Sequence, residues 1–566
     1  MVDKSSEGCE ASFFDSKVSR RDILKSGAKA AGALVLSGAL PALMTSCSRP
    51  GKGVYDILIK GGLVCDGSTA LLRRADIGIR QDRIVDIGAL SGSAARVIDA
   101  GRCIVTPGFI DVHTHCDETF RLSGIQRYLA YVLPSWKGNY NYLYQGVTTV
   151  VTGNCGSGYA HIDTWYDMLG SIGFGTNVYH LVPHGVVREE LFGNDQPRQL
   201  SSKQLDMMKS RIAAEMGKGA VGMSTGLFYF PGFLTPTEEI IELCKVVRKY
   251  GGIYTSHIRD ESGSRLPDGS IAVLASVKEA LAIGERAEIP VEISHPKVCA
   301  PFQDVNVEQI LELIEKARLR GLEVHADQYP YEASSCDIPA LLPNKFIGKG
   351  GLKDTYKTQA GRKEVQKAIE AIFSYLPPEK IYISMYKEQK AYEGKNLAEI
   401  AHREGVTPSD VYVRMACSDE LPLGVLFEMR IDDVKKIMAC DYILTGSDGW
   451  TVPKGFTKPH PRVYGTFPRK IRKYVLEEKV LSLPAAIRSM TSLPAEKFRI
   501  QARGKIDKGY YADIAVIDLE EINDRATYFD PHQYAQGIKY LVVNGVLSID
   551  EGRATGERAG RTLRRG

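Results

Sequence analysis

The chain has 566 residues, 44% hydrophobic and 25% charged, which suits packed soluble domains and excludes disordered, collagen-like and multi-span membrane chains. Its 72 Lys plus Arg against 68 Asp plus Glu leave a formal charge of +4, too weak a field at this size to gather a polyanion, so no nucleic-acid partner is expected. The 11 cysteines have no short regular spacing and describe no disulfide scaffold.

The first element reads as an address. Arg20-Arg21 precede Ile23-Leu24, and a run of small and apolar residues follows from 30 to 44, the pattern of a twin-arginine export signal over residues 1–47. That run is shorter than the roughly 20 residues a spanning helix needs. It ends Leu43-Met44-Thr45-Ser46-Cys47, similar to a lipoprotein cleavage box with Cys47 as the lipidated residue and Met44 where leucine is usual. The expected location is the periplasm or cell envelope, with membrane attachment only through a lipid on Cys47. The twin-arginine route carries folded proteins, so a metal could be acquired before export.

From 55 to 105 the chain reads as short strands with turn signals, at 56–60, 83–87 and 97–99. The C-terminal stretch reads alike: 512–518, then 539–543 running into Asn544-Gly545, a favoured hairpin pair, then 546–549. Two distant β-segments predict one discontinuous domain built from both ends. The basic residues 561–566 read as a solvated tail.

Between them, apolar runs at 107–112, 146–152, 176–181, 220–224, 252–256, 290–294, 322–326 and 442–445 alternate with helical patterns. Thr235-Pro236-Thr237-Glu238 reads as a capping box with proline at the first helical position, opening a helix to about Tyr250. Asn306 caps another, whose Val307, Ile310, Leu311, Ile314 and Ala317 share a face before Gly321 ends it. Eight strands with intervening helices predict an α/β fold, a (β/α)8 TIM-type barrel over 107–495. The gap between the seventh and eighth runs is too long for a loop and carries helical patterns such as 361–375, so about 332–439 is expected to be an insertion over the barrel mouth.

Candidate chemistry collects where these runs end. His113 and His115 leave the first run at period two, so their imidazoles lie on the same side. Cys155 follows the second run within Gly153-Asn154-Cys155-Gly156, whose glycines allow close backbone approach. His257 ends the fifth run, His295 the sixth and Asp448 the eighth. A single HxH pair is as often two hydrogen-bonded polar residues as a metal site, and a lone cysteine is usually inert core. Six such residues on five strand ends, where barrel active sites sit, point to a metal.

Imidazole and thiolate donors favour zinc. Cys155, His257 and His295 suit one tightly held ion with an open position, and His113, His115 and Asp448 crowd a second. Zinc lowers the pKa of bound water to about 7, and Asp448 is placed to take its proton and pass it to a leaving nitrogen. This is equipment for hydrolysing an amide. His161, His180, His184, His325, His402, His460 and His532 form no comparable set.

The segments PGFIDVHTH (107–115), GVTTV (146–150), GNCG (153–156), SHIR (256–259), SHPK (294–297), DQYPY (327–331), GSDG (446–449), HPR (460–462), TSLPA (491–495) and 504–513 occur in this order. Together they resemble the D-aminoacylase (N-acyl-D-amino-acid deacylase) family of the amidohydrolase superfamily. GNCG discriminates, because many amidohydrolases use a carboxylated lysine between their metals. The resemblance implies a barrel with a small β-sandwich from residues 52–106 and 496–566. It further implies one tight zinc on Cys155, His257 and His295, a weaker site at His113 and His115, and Asp448 as general base and acid. It implies an N-acyl-D-amino acid substrate, for whose carboxylate Lys297, Arg259, Arg462, Tyr329 and Tyr331 are the candidates.

Arg259 lies beside Asp260 and Glu261 and reads equally as a structural ion pair. Cys116 departs from the family pattern, and 345–357 has no reading from pattern. Competing expectations are a hydrolase of D-configured dipeptides, a cyclic-amide hydrolase of the hydantoinase or dihydroorotase kind, and a non-catalytic zinc-bearing envelope lipoprotein. Cys155 in place of a bridging lysine argues against the cyclic-amide reading, and Asp448 against the binder.

Overall fold

The β-branched runs at the two ends of the chain pair with each other. In the computed structural model, which describes residues 54–565 apart from 69, 70, 123, 194, 303, 304 and 348–350, they form one nine-stranded sheet. The export signal and lipobox lie outside the described residues. Strand Ile514–Ile517 runs antiparallel to Ile104–Pro107, with Val516 opposite Val105. Alternate residues such as Ile57 and Ile59, Ile77 and Ile79, and Ile514 and Val516 face inward and make a core of their own. Strands from both ends of the chain share this one hydrogen-bonded sheet. Asn544 and Gly545 hold φ of +49° and +81°, the left-handed pair that joins Ile538–Val543 to Val546–Asp550 in a tight hairpin.

The C-terminal segment corrects its reading as a solvated tail. Leu563 N donates to Val178 O at 2.8 Å, and Arg561 and Arg564 meet Asp82 and Asp163 at 2.6 and 3.1 Å. Acid partners and a strand edge were available to charges that the sequence shows only as a basic run.

The middle of the chain is α/β. Phe109–Asp111, Val147–Thr152 and Asn177–His180 form one parallel sheet. Val182–Pro183, Gly222–Gly226, Ile253–His257, Val291–Ile293, Val324–Gln328 and Ile443–Thr445 form a second parallel sheet in that order. Each of the eight apolar runs overlaps a strand. Only Leu181 separates Asn177–His180 from Val182–Pro183, and a parallel bridge joins Thr114 to Gly449 at the opposite edges. Strands buried on both faces explain the unbroken apolar runs.

Helix Val307–Leu319 carries the expected Asn306 cap, which Gln309 completes as a capping box. The box at Thr235 does not form. Pro236 is extended at the N-cap, the helix is Thr237–Lys249, and the Thr235 hydroxyl instead accepts from Arg188 Nη1 at 2.6 Å. Between the last two strands lie the antiparallel strands Ser334–Asp337, Leu423–Leu426 and Ile381–Met385 and the helices Gln359–Tyr375, Leu397–Glu404 and Pro408–Ala416. They pack around Val365, Ile369, Ile372, Ile383, Leu397 and Val411, a separate core. No helix among the described residues is long and apolar enough to cross a membrane.

Behind the last parallel strand, the buried Lys470 Nζ donates to Thr445 Oγ1 and Ser489 Oγ, each at 2.9 Å. With only hydroxyls as hydrogen-bond partners, burial pulls its ammonium down to about 7. Between about 7 and the ordinary lysine value of about 10.4, the unfolded chain holds one more proton than the folded chain, so stability should rise as pH increases across that window. Lys470→Met should abolish this rise. Urea denaturation midpoints of both proteins at stepped pH check it, and identical pH slopes would refute it.

Candidate metal centre

Each expected ligand stands at the C-terminal end of a parallel strand. His257 is the last residue of Ile253–His257, and His295 lies just past Val291–Ile293. His113, Cys155 and Asp448 follow Phe109–Asp111, Val147–Thr152 and Ile443–Thr445. Three of these residues turn the chain sharply: Cys155, His295 and Asp448 hold φ of +52°, +33° and +49°. Left-handed backbone at a residue other than glycine costs about 1–3 kcal/mol and persists only where its surroundings hold it.

Here the holding bonds are visible. Asp448 N donates to His113 O at 2.8 Å, and His295 N donates to Asp327 Oδ1 at 3.2 Å. The buried Asp111 Oδ1 accepts from both His113 N and Ser447 N, at 3.1 and 2.9 Å, and so ties the first strand to the last. The glycine beside Cys155 serves as expected. A Cβ on Gly156 would lie 2.8 Å from Gly226 N, and one on Gly226 would lie 2.1 Å from Cys155 O.

The six side chains converge. Cys155 Sγ lies 3.2 Å from His113 Nε2 and 3.6 Å from His257 Nδ1. Asp448 Oδ1 is 3.2 Å from His115 Nε2 and 3.7 Å from His113 Nε2, and its Oδ2 is 3.8 Å from His295 Nε2. Ligand atoms within 4.8 Å of one another form three overlapping sets: His113, Cys155 and His295; His113, His115 and Asp448; and His257, Glu261 and His295. His113, rather than the expected His257, joins Cys155 and His295 in the first set, and it belongs to the second set as well, while His257 groups with Glu261 and His295. Within the cluster, the buried His257 Nε2 has no hydrogen-bond partner among the described residues. A buried thiol, four imidazoles and one carboxylate are the donors of an imidazole- and thiolate-binding metal rather than of magnesium or calcium.

Two carboxylates behind the ligands aim them. His113 Nδ1 is 2.9 Å from Asp327 Oδ2, and His295 Nδ1 is 3.1 Å from Glu261 Oε1, which leaves each Nε2 turned toward the centre. Burial would raise the Cys155 thiol, but the charge on His113 and hydrogen bonds from His113, His115 and His257 hold it well below its usual range. Burial likewise opposes ionisation of Asp448, and Arg462 and His115 reverse it, holding the carboxyl well below the carboxylate range. The surroundings of both groups thus favour their ionised forms.

Two cavities, of about 400 and about 650 Å³, meet here, and Tyr229, His257, Cys336 and Asp448 line both. Lys297 and Tyr329 line the first. Lys297 Nζ donates to Glu261 Oε1 at 2.5 Å, and the buried Tyr329 hydroxyl has no hydrogen-bond partner among the described residues. Arg462 lines the second, 3.0 Å from Asp448 Oδ2 and stacked 4.7 Å from the Tyr329 ring centre.

Two candidates are otherwise engaged. Arg259 reaches the first cavity, but its Nε and Nη2 donate to Glu279 at 2.9 and 2.8 Å and its Nη1 to Phe233 O, so it is a structural ion pair. Tyr331 lines neither cavity and packs against Arg469 and His460. Sequence reasoning missed Glu261 and Asp327 as partners of the histidines and Tyr229, whose ring lies 4.8 Å from that of His257. The spacing of Glu261 four residues after His257 and the place of Asp327 at the end of the seventh run were the available signals.

Residues 385–549 match the amidohydrolase family. The chain is 33% identical over 536 residues to the D-aminoacylase of Alcaligenes xylosoxydans xylosoxydans, covering 90% of this chain and 98% of that protein. It is 34% identical over 535 residues to the N-acyl-D-glutamate deacylase of the same organism, covering 90% and 96%. The crystal structure of N-acyl-D-glutamate deacylase from Bordetella bronchiseptica, complexed with zinc and a phosphonate that mimics the tetrahedral intermediate, superposes with a TM-score of 0.74 at 31% identity, covering 90% of this chain and 99% of that one. With its thiol, histidines and aspartate gathered at the ends of parallel strands, the chain belongs to the D-aminoacylase family of the amidohydrolases.

Proposed function

We propose that this enzyme hydrolyses the amide bond of N-acyl-D-amino acids, giving a carboxylic acid and a free D-amino acid. The observation that carries the reading is the meeting, at one point between two cavities, of a Cys155–imidazole donor set with an ionised Asp448. The metal is assigned as zinc, held tightly by Cys155, His257 and His295, with a weaker position at His113 and His115. Bound there, zinc lowers the pKa of a water molecule and polarises an acyl carbonyl.

The chain's own residues do the rest. Asp448, kept ionised by Arg462, accepts the proton of the attacking water and returns it to the nitrogen as the acyl C–N bond breaks. Tyr329, whose buried hydroxyl lacks a hydrogen-bond partner among the described residues, and Lys297 offer donors to the substrate carboxylate, with Arg462 beside them.

The finer architecture is part of the same proposal. The two parallel sheets are read as one (β/α)8 barrel over 107–495, capped by the insertion at about 332–439, with 52–106 and 496–566 as its accompanying β domain. The twin-arginine pattern supports export to the periplasm or envelope, with Cys47 as a candidate lipid anchor.

Cys155→Ala should lose tightly bound zinc and activity together, read as metal per chain after dialysis alongside turnover. Asp448→Asn should keep its zinc while kcat falls about 10²- to 10⁴-fold; full activity in that variant would overturn the assigned proton transfer. N-acetyl-D-amino acids should be turned over while their L-enantiomers and cyclic amides are not, measured side by side by amine release and ring opening. Ring opening without D-selective deacylation would favour the cyclic-amide reading.

A further inference from the structure

We infer that His460 is a positioning residue for the hydrolysis: its ring fixes the backbone of Arg462, and with it the guanidinium that faces Asp448, while a loop of the nine-stranded sheet holds that ring in place. The inference rests on the deacylase reading, in which Arg462 serves both Asp448 and the substrate carboxylate.

Few contacts aim the Arg462 side chain. Its guanidinium pairs with Asp448 Oδ2 at 3.0 Å and stacks on Tyr329, and its buried Nε has no hydrogen-bond partner among the described residues. Its direction therefore depends on its backbone. Arg462 opens helix Arg462–Arg469, where the first N–H groups find no partner within the helix, and Pro461 at the N-cap offers no side-chain acceptor. His460 fills that role: Arg462 N donates to His460 Nδ1 at 3.0 Å. Nε2–H of the same ring donates to Ala333 O at 3.0 Å, which fixes the tautomer and leaves the Nδ1 lone pair to accept. Burial and the charge on Arg462 hold this imidazole well below the ordinary histidine range, so it stays neutral. Pro461, between the two residues at φ −60°, limits how far they can shift apart. Both ring nitrogens are engaged away from the metal donors, so His460 is not a further ligand.

The ring itself is seated from the nine-stranded sheet. Tyr331 and Tyr528 meet it edge to face, with ring centres 5.2 and 5.1 Å away. Tyr528 belongs to the loop between strands Ile514–Ile517 and Ile538–Val543, and it also packs 4.6 Å from the Phe427 ring of the insertion. The same loop grips the approach to His460 at two further points. His532 Nε2 donates to Thr457 O at 2.8 Å, and Lys454 Nζ lies 4.2 Å from the Tyr534 ring centre. At the far end of the Arg462 helix, Asp524 meets Arg469 at 3.0 Å. One loop from the sheet built by both chain ends thus fastens the segment on each side of Arg462.

The test is a double-mutant cycle in the zinc-loaded full chain, using whichever of N-acetyl-D-leucine and N-acetyl-D-glutamate the natural protein turns over faster. His460→Asn places an amide oxygen where Nδ1 accepts, whereas His460→Gln places an amide nitrogen where Nε2 donates. His460→Gln should lower kcat/KM about 10²-fold, and His460→Asn about tenfold or less. Both variants should keep the natural zinc content per chain. In an Arg462→Ala background, His460→Gln should lower kcat/KM by no more than about a further twofold. Losses that multiply in the double variant overturn the inference, because His460 then acts elsewhere than through Arg462. Full activity in His460→Gln overturns it too, as does a greater loss in His460→Asn than in His460→Gln, which would assign the role to the Ala333 contact. If His460→Gln fails to fold, judged by its thermal midpoint, Tyr528→Leu replaces it in the cycle, and multiplying losses there overturn the inference likewise. All these outcomes leave the deacylase reading standing. No turnover of either substrate by the natural protein overturns that reading and this inference with it.

Discussion

The structure is organised around a buried thiolate. Cys155 Sγ sits 3.2 Å from one imidazole and 3.6 Å from another, away from water, and a charge so placed costs several kcal/mol unless its neighbours answer it. Every feature near it is an answer. The imidazoles supply opposite charge, Asp327 and Glu261 orient two of them, and Arg462 and His115 keep Asp448 ionised a few ångströms away. The left-handed backbone at Cys155, His295 and Asp448 belongs to the same constraint, since ordinary strand geometry would carry these side chains past one another.

Holding such a cluster requires strand ends that do not move independently. Asp111 links the first and last strands through two backbone N–H groups, and the Thr114–Gly449 bridge adds a second tie. The nine-stranded sheet joins in through the first strand. Pro107 ends a strand of that sheet and Phe109 begins a strand of the parallel one, with Gly108 N donating to Asp513 O between them. A Cβ on Gly108 would come within 2.3 Å of Thr148, so the crossing from one sheet to the other passes where only glycine fits. The domain built from both chain ends therefore bears directly on the placement of His113 and His115.

The insertion divides the labour. The parallel strands carry the reacting groups, while the insertion, with its own core around Val365, Ile369 and Val411, supplies Ser335, Cys336 and the apolar wall of the first cavity. A wall with a separate core can change its lining without disturbing the ligands.

The local sequence determined which candidate side chains emerge at the strand ends and where the strands lie, because both follow from short-range facts. A run buried on both faces is unbroken and apolar, and the residue after it emerges at a fixed edge. His113, His115, Cys155, His257, His295 and Asp448 were legible for that reason, as were the Asn306 cap and the Asn544-Gly545 turn. Pairing was not legible, because it depends on which distant groups arrive within hydrogen-bond distance. Only the tertiary structure gave Arg259 to Glu279, Lys297 to Glu261 and the Thr235 hydroxyl to Arg188, and only it drew the basic C-terminal segment along strand Asn177–His180. Residue chemistry and strand period are properties of a few neighbouring positions, whereas the partner that satisfies a buried charge is chosen by packing between segments 20 residues apart, as for Arg259 and Glu279, to 214 apart, as for His113 and Asp327.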